Sequence, residues 1–184
     1  VGTAVRDLGS YDIAEVAVEP GGWQGIGILG DDEVPVMMLP GEPVSAFVAF
    51  EAFVKPAILQ LMGADPVLPE TYVATAAMGM TSNDGVLDVC RGLVTQSRSG
   101  YVVSLVGGHT THLISELPKA NALVLLGPEV EFVAAGAGFV AVVPGRRGLP
   151  GGEPGGQLVG RHGLGDTEAL DDVAAQAEQQ VGDR

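Results

Sequence analysis

A chain of 184 residues is long enough for one ordinary domain, or two small ones, with a sizeable core. Hydrophobic residues make up 46% and charged residues 17%, so the chain can fold, while 23 acidic against 9 basic side chains give a net charge of −14. That balance excludes a nucleic-acid backbone or an anionic membrane as a natural partner, and the single cysteine, Cys90, excludes an internal disulfide and a thiolate-based zinc cluster.

The opening VGTAVRDLGS lacks the basic start and apolar run of a signal peptide, so a soluble cytoplasmic protein is the expectation. The chain begins at Val1, part-way into an α/β pattern, and reads as a piece. Residues 13–18 are expected to be a strand, followed by the turn Glu19-Pro20-Gly21-Gly22, and Trp23–Leu29 and Val34–Leu39 are two more strands. Leu39-Pro40-Gly41-Glu42-Pro43 then breaks the pattern, and Pro43 suits the first turn of a helix. Phe47, Phe50, Val54, Ala57, Ile58 and Leu61 recur at three- and four-residue steps, which places them on one buried face. Pro56 is expected to kink or split that helix near Val54. Residues 44–62 come nearest to a membrane span, but Glu51, Lys55 and Pro56 interrupt them.

Beyond residue 63, strands are expected near 71–79, 86–95, 101–106, 122–126 and 138–143, with a short helix over 110–117. Five short strands at this spacing suggest a small β-barrel or a sandwich. From Pro144 onward the composition, with 10 of the 28 glycines, reads as a flexible tail with at best an exposed helix over 167–181.

Gly25-Ile26-Gly27-Ile28-Leu29-Gly30 spells a dinucleotide fingerprint but lies inside a strand and leads to Asp31-Asp32-Glu33 and another strand, so that reading fails on context. His109 and His112 have a spacing that puts two imidazoles on one helix face. A metal site needs more ligands, and His162 lies in the tail, while nothing in the sequence brings Cys90 near; the alternative is a hydrogen-bonded histidine in a short helix. The turn 39–45, opening on a helix, leaves backbone N–H groups and the Ser45 hydroxyl as an anion site, or is an ordinary strand-to-helix turn.

Residues 39–46 (LPGEPVSA), with Phe50-Glu51 and Phe53-Val54-Lys55-Pro56-Ala57, resemble the molybdopterin molybdenumtransferase family, MoeA and the E domain of gephyrin, whose loop reads L-P-G-N-P-V-S. Residues 16–27 resemble the family's V-A-M-Q-P-G-K-P-x-x-F-G, residues 85–92 its G-R-x-[ED]-F-x-R-G strand, and 111–124 its S-H-x…L-x-x-A-N-x-L-I. The four matches are collinear from about Leu8 to Val143. The resemblance implies an α/β fold: residues 1–63 as the C-terminal part of a molybdopterin-binding α/β domain, residues 64–143 as a small β-barrel domain, and 144–184 as the tail. It implies insertion of molybdate into adenylylated molybdopterin with release of AMP, with Mg²⁺ whose ligands are not in this chain, and a homodimer. It also implies a molybdopterin-binding face made of Pro20, Gly21, Gly22, Pro40, Gly41, Glu42, Pro43, Ser45, Thr111 and His112, with no catalytic or metal-ligating residue assigned. Four positions depart from the family: Gly22 replaces lysine, Glu42 asparagine, Val86 arginine and Thr111 serine. Loss of cations and gain of a carboxylate weaken an anion site, so the alternative is a non-catalytic scaffold or partner-binding fragment of the same family.

Overall fold

The computed structural model describes residues 8–112 and 114–142. The expectations for 144–184 lie outside the described residues. What is described forms mixed sheets with few helical segments.

Strands β1 (Gly9–Glu15), β3 (Trp23–Leu29) and β4 (Val34–Met38) make an antiparallel sheet in the order β1-β3-β4. The G-x-G-x-x-G letters sit within β3, where Gly25 pairs with Ile13 and Met38, and Gly27 with Tyr11 and Val36. A Cβ on Gly27 would lie 2.6 Å from both Ser10 O and Tyr11 Cβ. These glycines therefore serve close strand packing, and no helix follows them to receive a pyrophosphate. A two-residue strand, β2 (Val18–Glu19), leaves this sheet and runs parallel to the later strand Leu87–Ser97, with Val18 opposite Leu87 and Glu19 opposite Asp88.

The long helical pattern is divided in three. Helix α1 (Pro43–Ala49) passes into a π-helical turn (Phe50–Val54) and then into α2 (Lys55–Leu61). The Lys55 N–H reaches back five residues to Phe50 O, and Pro56, which has no N–H to give, follows immediately. The break falls where the proline predicts it, but the buried face differs from the expected one. Val44, Ser45, Val48 and Ala49 are buried and Phe47 and Phe53 pack beside them, whereas Phe50, Ile58 and Leu61 are exposed. The buried positions all precede the π turn: no residue of the turn or of α2 is buried, so the core face ends at Ala49 and does not continue along the expected stripe. Glu51 and Lys55 form a partly buried ion pair at 2.7 Å across the π turn. Residues 43–61 are long and apolar enough to cross a membrane by length and composition alone. Here Val44 and Val48 of that stretch pack on Val18, Val89, Leu123 and Leu125.

The remaining strands are β5 (Thr71–Ala76), β6 (Met80–Thr81), β7 (Leu87–Ser97), β8 (Gly100–Leu105), β9 (Ala122–Leu126), β10 (Phe132–Val133) and β11 (Gly138–Val142). Strand β7 pairs with β8 and with β9, β8 with β5 in parallel, β5 with β11, and β11 with β9, while β6 and β10 pair apart. All five residues of β9 are buried because both of its faces are covered. Ala122, Val124 and Leu126 face a cluster with Ala76, Met80, Cys90, Val94, Tyr101 and Val103, and Leu123 and Leu125 face α1. This second cluster joins residues from both sides of position 63. Strands β2, β6 and β10, at two residues each, are too short to show a periodic pattern. The helix expected over 110–117 is a 3₁₀ helix at Ile114–Lys119, displaced because residues 106–112 are tied down as a loop.

Candidate functional site

Charged residues inside an apolar strand must find partners or they cost several kcal/mol. Strand β7 carries two, Asp88 and Arg91, which are 1% and 2% exposed. Arg91 donates from Nε to Val106 O at 3.2 Å and from Nη2 to Gly108 O at 2.9 Å, and its own carbonyl accepts from Val106 N–H at 2.9 Å. It thereby fixes the loop 106–112 against β7. Its Nη1 has no hydrogen-bond partner among the described residues. Burial lowers the guanidinium's pKa, with Cys90 and Glu116 opposing that shift.

Asp88 works on the other side of the strand. Its Oδ2 accepts from Asn83 N–H at 3.2 Å, Ser82 Oγ at 3.4 Å and Asn83 Nδ2 at 3.5 Å, and lies 3.4 Å from His109 Nδ1. Its Oδ1 lies 3.5 Å from Cys90 Sγ. Burial, and then the Asp88 carboxylate, push the Cys90 thiol up to about 12.

The loop tied down by Arg91 reaches the start of α1, where Thr111 O accepts the Val44 N–H at 3.1 Å. The turn after β2 closes on the same place. A Cβ on Gly21 would meet Ser45 O at 3.1 Å and Pro40 Cγ at 3.5 Å, and Gln24 Nε2 donates to Gly21 O. Glu19, Pro20, Val44, Asp88, Val89, Cys90, Arg91 and Gly108–Thr111 line one crevice at this junction. The Glu19–Pro20 peptide is cis.

The residues expected to bind a ligand are thus brought together in large part. Pro20, Gly21, Pro40, Ser45 and Thr111 meet within this junction, and Gly22 is held in it, with the Val16 N–H bonded to Gly22 O at 2.7 Å. Gly41, Glu42 and Pro43 stand exposed at its rim, as does His112 beyond Thr111. The cradle of N–H groups is smaller than the sequence suggests. Pro43 has none, the Val44 N–H goes to Thr111 O, and the Ala46 N–H goes to Glu42 O at 2.8 Å. The Glu42 carboxylate takes the Ser45 hydroxyl at 3.4 Å. Sequence reasoning missed Asp88, Arg91 and His109 as parts of the crevice. The signal was present in two opposite charges inside the apolar run Leu87–Val94.

The family profile of the MoeA C-terminal region (domain IV) matches residues 73–149. Molybdopterin molybdenumtransferase 1 of Mycobacterium tuberculosis is 36% identical over 141 residues, covering 74% of this chain and 33% of that protein. This chain carries the C-terminal portion of the MoeA family. The molybdopterin molybdenumtransferase of Haemophilus influenzae is 33% identical over 134 residues, which is 72% of this chain and 33% of that protein. The chain spans about a third of the length of these curated MoeA-family relatives. In fold it is similar to a molybdopterin biosynthesis MoeA protein from Pyrococcus horikoshii, with TM-score 0.60, 22% identity, and 77% of this chain and 34% of that one covered. A molybdenum cofactor biosynthesis protein from Pyrococcus furiosus gives TM-score 0.57 at 24% identity, with coverage of 74% and 46%.

Membership in the family gives the quoted MoeA-like motifs a physical meaning. The aspartate and arginine of residues 85–92 hold the loops 82–83 and 106–108. Asn121, in the A-N pair, donates to Val94 O at 2.9 Å and accepts from Val94 N–H at 2.7 Å, so its side chain extends the β7–β9 ladder by one rung. Magnesium demands oxygen ligands in near-octahedral geometry. The Asp88, Cys90 and His109 group offers one carboxylate, one thiol and one imidazole, which does not fit that ion.

Proposed function

We propose that this chain serves molybdenum cofactor biosynthesis, as the C-terminal part of an enzyme that inserts molybdate into adenylylated molybdopterin and releases AMP. The observation that carries this reading is the junction itself. Three separate loops, at 20–22, 40–45 and 108–112, come together where the Val44 N–H donates to Thr111 O and where a Cβ on Gly21 would meet Pro40 and Ser45. In this reading Pro20, Gly21, Gly22, Pro40, Gly41, Glu42, Pro43, Ser45, Thr111 and His112 form the molybdopterin-facing wall. Residues 1–63 complete an α/β domain, and 64–143 are its small barrel neighbour. The protein works in the cytoplasm as a homodimer, and the Mg²⁺ of the reaction is held by residues other than those described.

A second reading has one specific observation in its favour. Glu42 places a carboxylate on the Ser45 hydroxyl at the rim where an anionic pterin phosphate would enter, and the Val44 N–H is already spent. The chain would then be a scaffold that keeps the family fold without its ligand. Equilibrium binding of molybdopterin to the chain and to Glu42→Asn separates the two. Glu42 is exposed, so its repulsion is that of charges in water, about 0.8 kcal/mol at ~5 Å, or roughly fourfold in affinity for each unit charge on the ligand. The enzyme-part reading expects binding by both and tighter binding by Glu42→Asn. Failure of both to bind while folded favours the scaffold.

A further inference from the structure

We propose that Asp88, Cys90 and His109 form a binding site for a zinc-type divalent cation. The three ligand atoms, a carboxylate oxygen, a sulfur and an imidazole nitrogen, lie within 4.8 Å of one another. From ordinary zinc bond lengths, tetrahedral ligands stand roughly 3.4 Å apart for an oxygen–nitrogen pair and roughly 3.6 Å for an oxygen–sulfur pair. Asp88 Oδ2 lies 3.4 Å from His109 Nδ1, and the other carboxylate oxygen, Oδ1, lies 3.5 Å from Cys90 Sγ, so one carboxylate already faces both the imidazole and the thiol.

The surroundings suit such a site in three further ways. Asn83 N–H, Asn83 Nδ2 and Ser82 Oγ all donate to Asp88 Oδ2 and fix the carboxylate, as outer-shell donors fix metal-binding carboxylates, which leaves Oδ1 as the oxygen toward Cys90. Asp88 and Cys90 are fixed in the core by β7, while the His109 side chain is 42% exposed and gives a path from solvent. All three residues line the same crevice. A sulfur, a nitrogen and an oxygen together select zinc or cobalt(II) over magnesium or calcium. Arg91 stands next to Cys90, but its Nε and Nη2 are committed to Val106 O and Gly108 O. A carboxylate and a thiolate offset the dication. On binding, the Cys90 thiol gives its proton to solvent and the sulfur–metal bond forms, with no change of oxidation state.

Cobalt(II) titration of the full, chelator-treated chain tests this. One equivalent is expected to give a thiolate-to-cobalt charge-transfer band with intense visible bands of a four-coordinate ion, and zinc is expected to displace it. Cys90→Ala should abolish the charge-transfer band. His109→Ala, at an exposed side chain that leaves the core intact, should weaken binding by more than roughly tenfold. Asp31→Asn, on the exposed turn between β3 and β4, should leave the titration unchanged. If Cys90→Ala does not fold, the comparison of His109→Ala with Asp31→Asn decides. A wild-type chain without the band, a band that survives in Cys90→Ala, or equal affinity in His109→Ala and wild type would each overturn the site.

Discussion

The loop at Gly22 is built around the absence of a side chain, and that can be measured. A Cβ on Gly22 would lie 2.7 Å from Val16 O and 3.1 Å from Val18 O. Neither neighbour yields easily, because both are backbone. Val16 O already accepts the Val18 N–H at 2.7 Å, and the Val16 N–H is bonded to Gly22 O at 2.7 Å. Forcing a carbon into that space costs about 1–3 kcal/mol by overpacking. Restricting the unfolded chain returns about 0.4–1 kcal/mol, so Gly22→Ala should lose about 1–2 kcal/mol. With a urea slope of about 2 kcal/mol/M, the unfolding midpoint falls by roughly 0.5–1 M, read by circular dichroism. Gly22→Lys should lose a similar amount, since the clash is at Cβ. Gly41→Ala is the control: nothing lies within 4 Å of its Cβ position, so it should be neutral or slightly stabilising. If Gly22→Ala were as stable as Gly41→Ala, the steric argument would be wrong. The consequence for function is direct. The lysine that family members carry at this point cannot be restored by one substitution without disturbing the junction, and Glu42→Asn is the cleaner probe.

Asn121→Ala removes both bonds to the buried backbone of Val94 and should cost about 2–4 kcal/mol in urea unfolding, with a loss below about 0.5 kcal/mol contradicting the assigned role. With the Cys90 thiol pushed up to about 12 from an ordinary 9.0 by burial and then by Asp88, the metal-free folded chain is expected to hold far less thiolate at pH 8 than the unfolded chain. Iodoacetamide should therefore react at least ~100-fold faster after unfolding in urea, and equal rates would show that the thiol is neither buried nor shifted. The same shift has a definite sign in stability. The folded thiol keeps its proton better than the unfolded one, so its contribution is full below about pH 9 and is lost as pH rises towards about 12. A chain that gained stability over that window on account of Cys90, compared with Cys90→Ala, would reverse the argument. Glu42→Asn should bind molybdopterin more tightly than the wild type, as set out above.

Local sequence signals carried far in this chain where they were strong and periodic. Trp23–Leu29 and Ala122–Leu126 are strands at the expected bounds, and Pro56 marks the break in the helix. What escaped was set by tertiary context. The buried helix face stops at Ala49 and leaves Phe50, Ile58 and Leu61 exposed, because a period counted along the chain does not say how far the packing partners Val18, Val89, Leu123 and Leu125 reach. The crevice was half legible. Its loops carried recognisable motifs, yet the meeting of Cys90 with His109 depends on Arg91 pulling the loop 106–108 back onto β7, a contact 15 to 17 residues away in sequence. The same is true of the Val44 N–H, whose acceptor, Thr111 O, lies on that loop. No local pattern announces that the anion cradle has one donor fewer.

The proposed molybdopterin-facing wall joins the loops at 20–22, 40–45 and 108–112. The direct measurement is backbone amide chemical-shift mapping of the full chain as molybdopterin is added under reducing conditions. The perturbed amides are expected to cluster at Gly21, Gly22, Gly41, Ser45, Thr111 and His112, with the antiparallel sheet β1-β3-β4 silent along its outer edge. Perturbations confined to that edge or to α2, with the three loops unmoved at saturation, would contradict it.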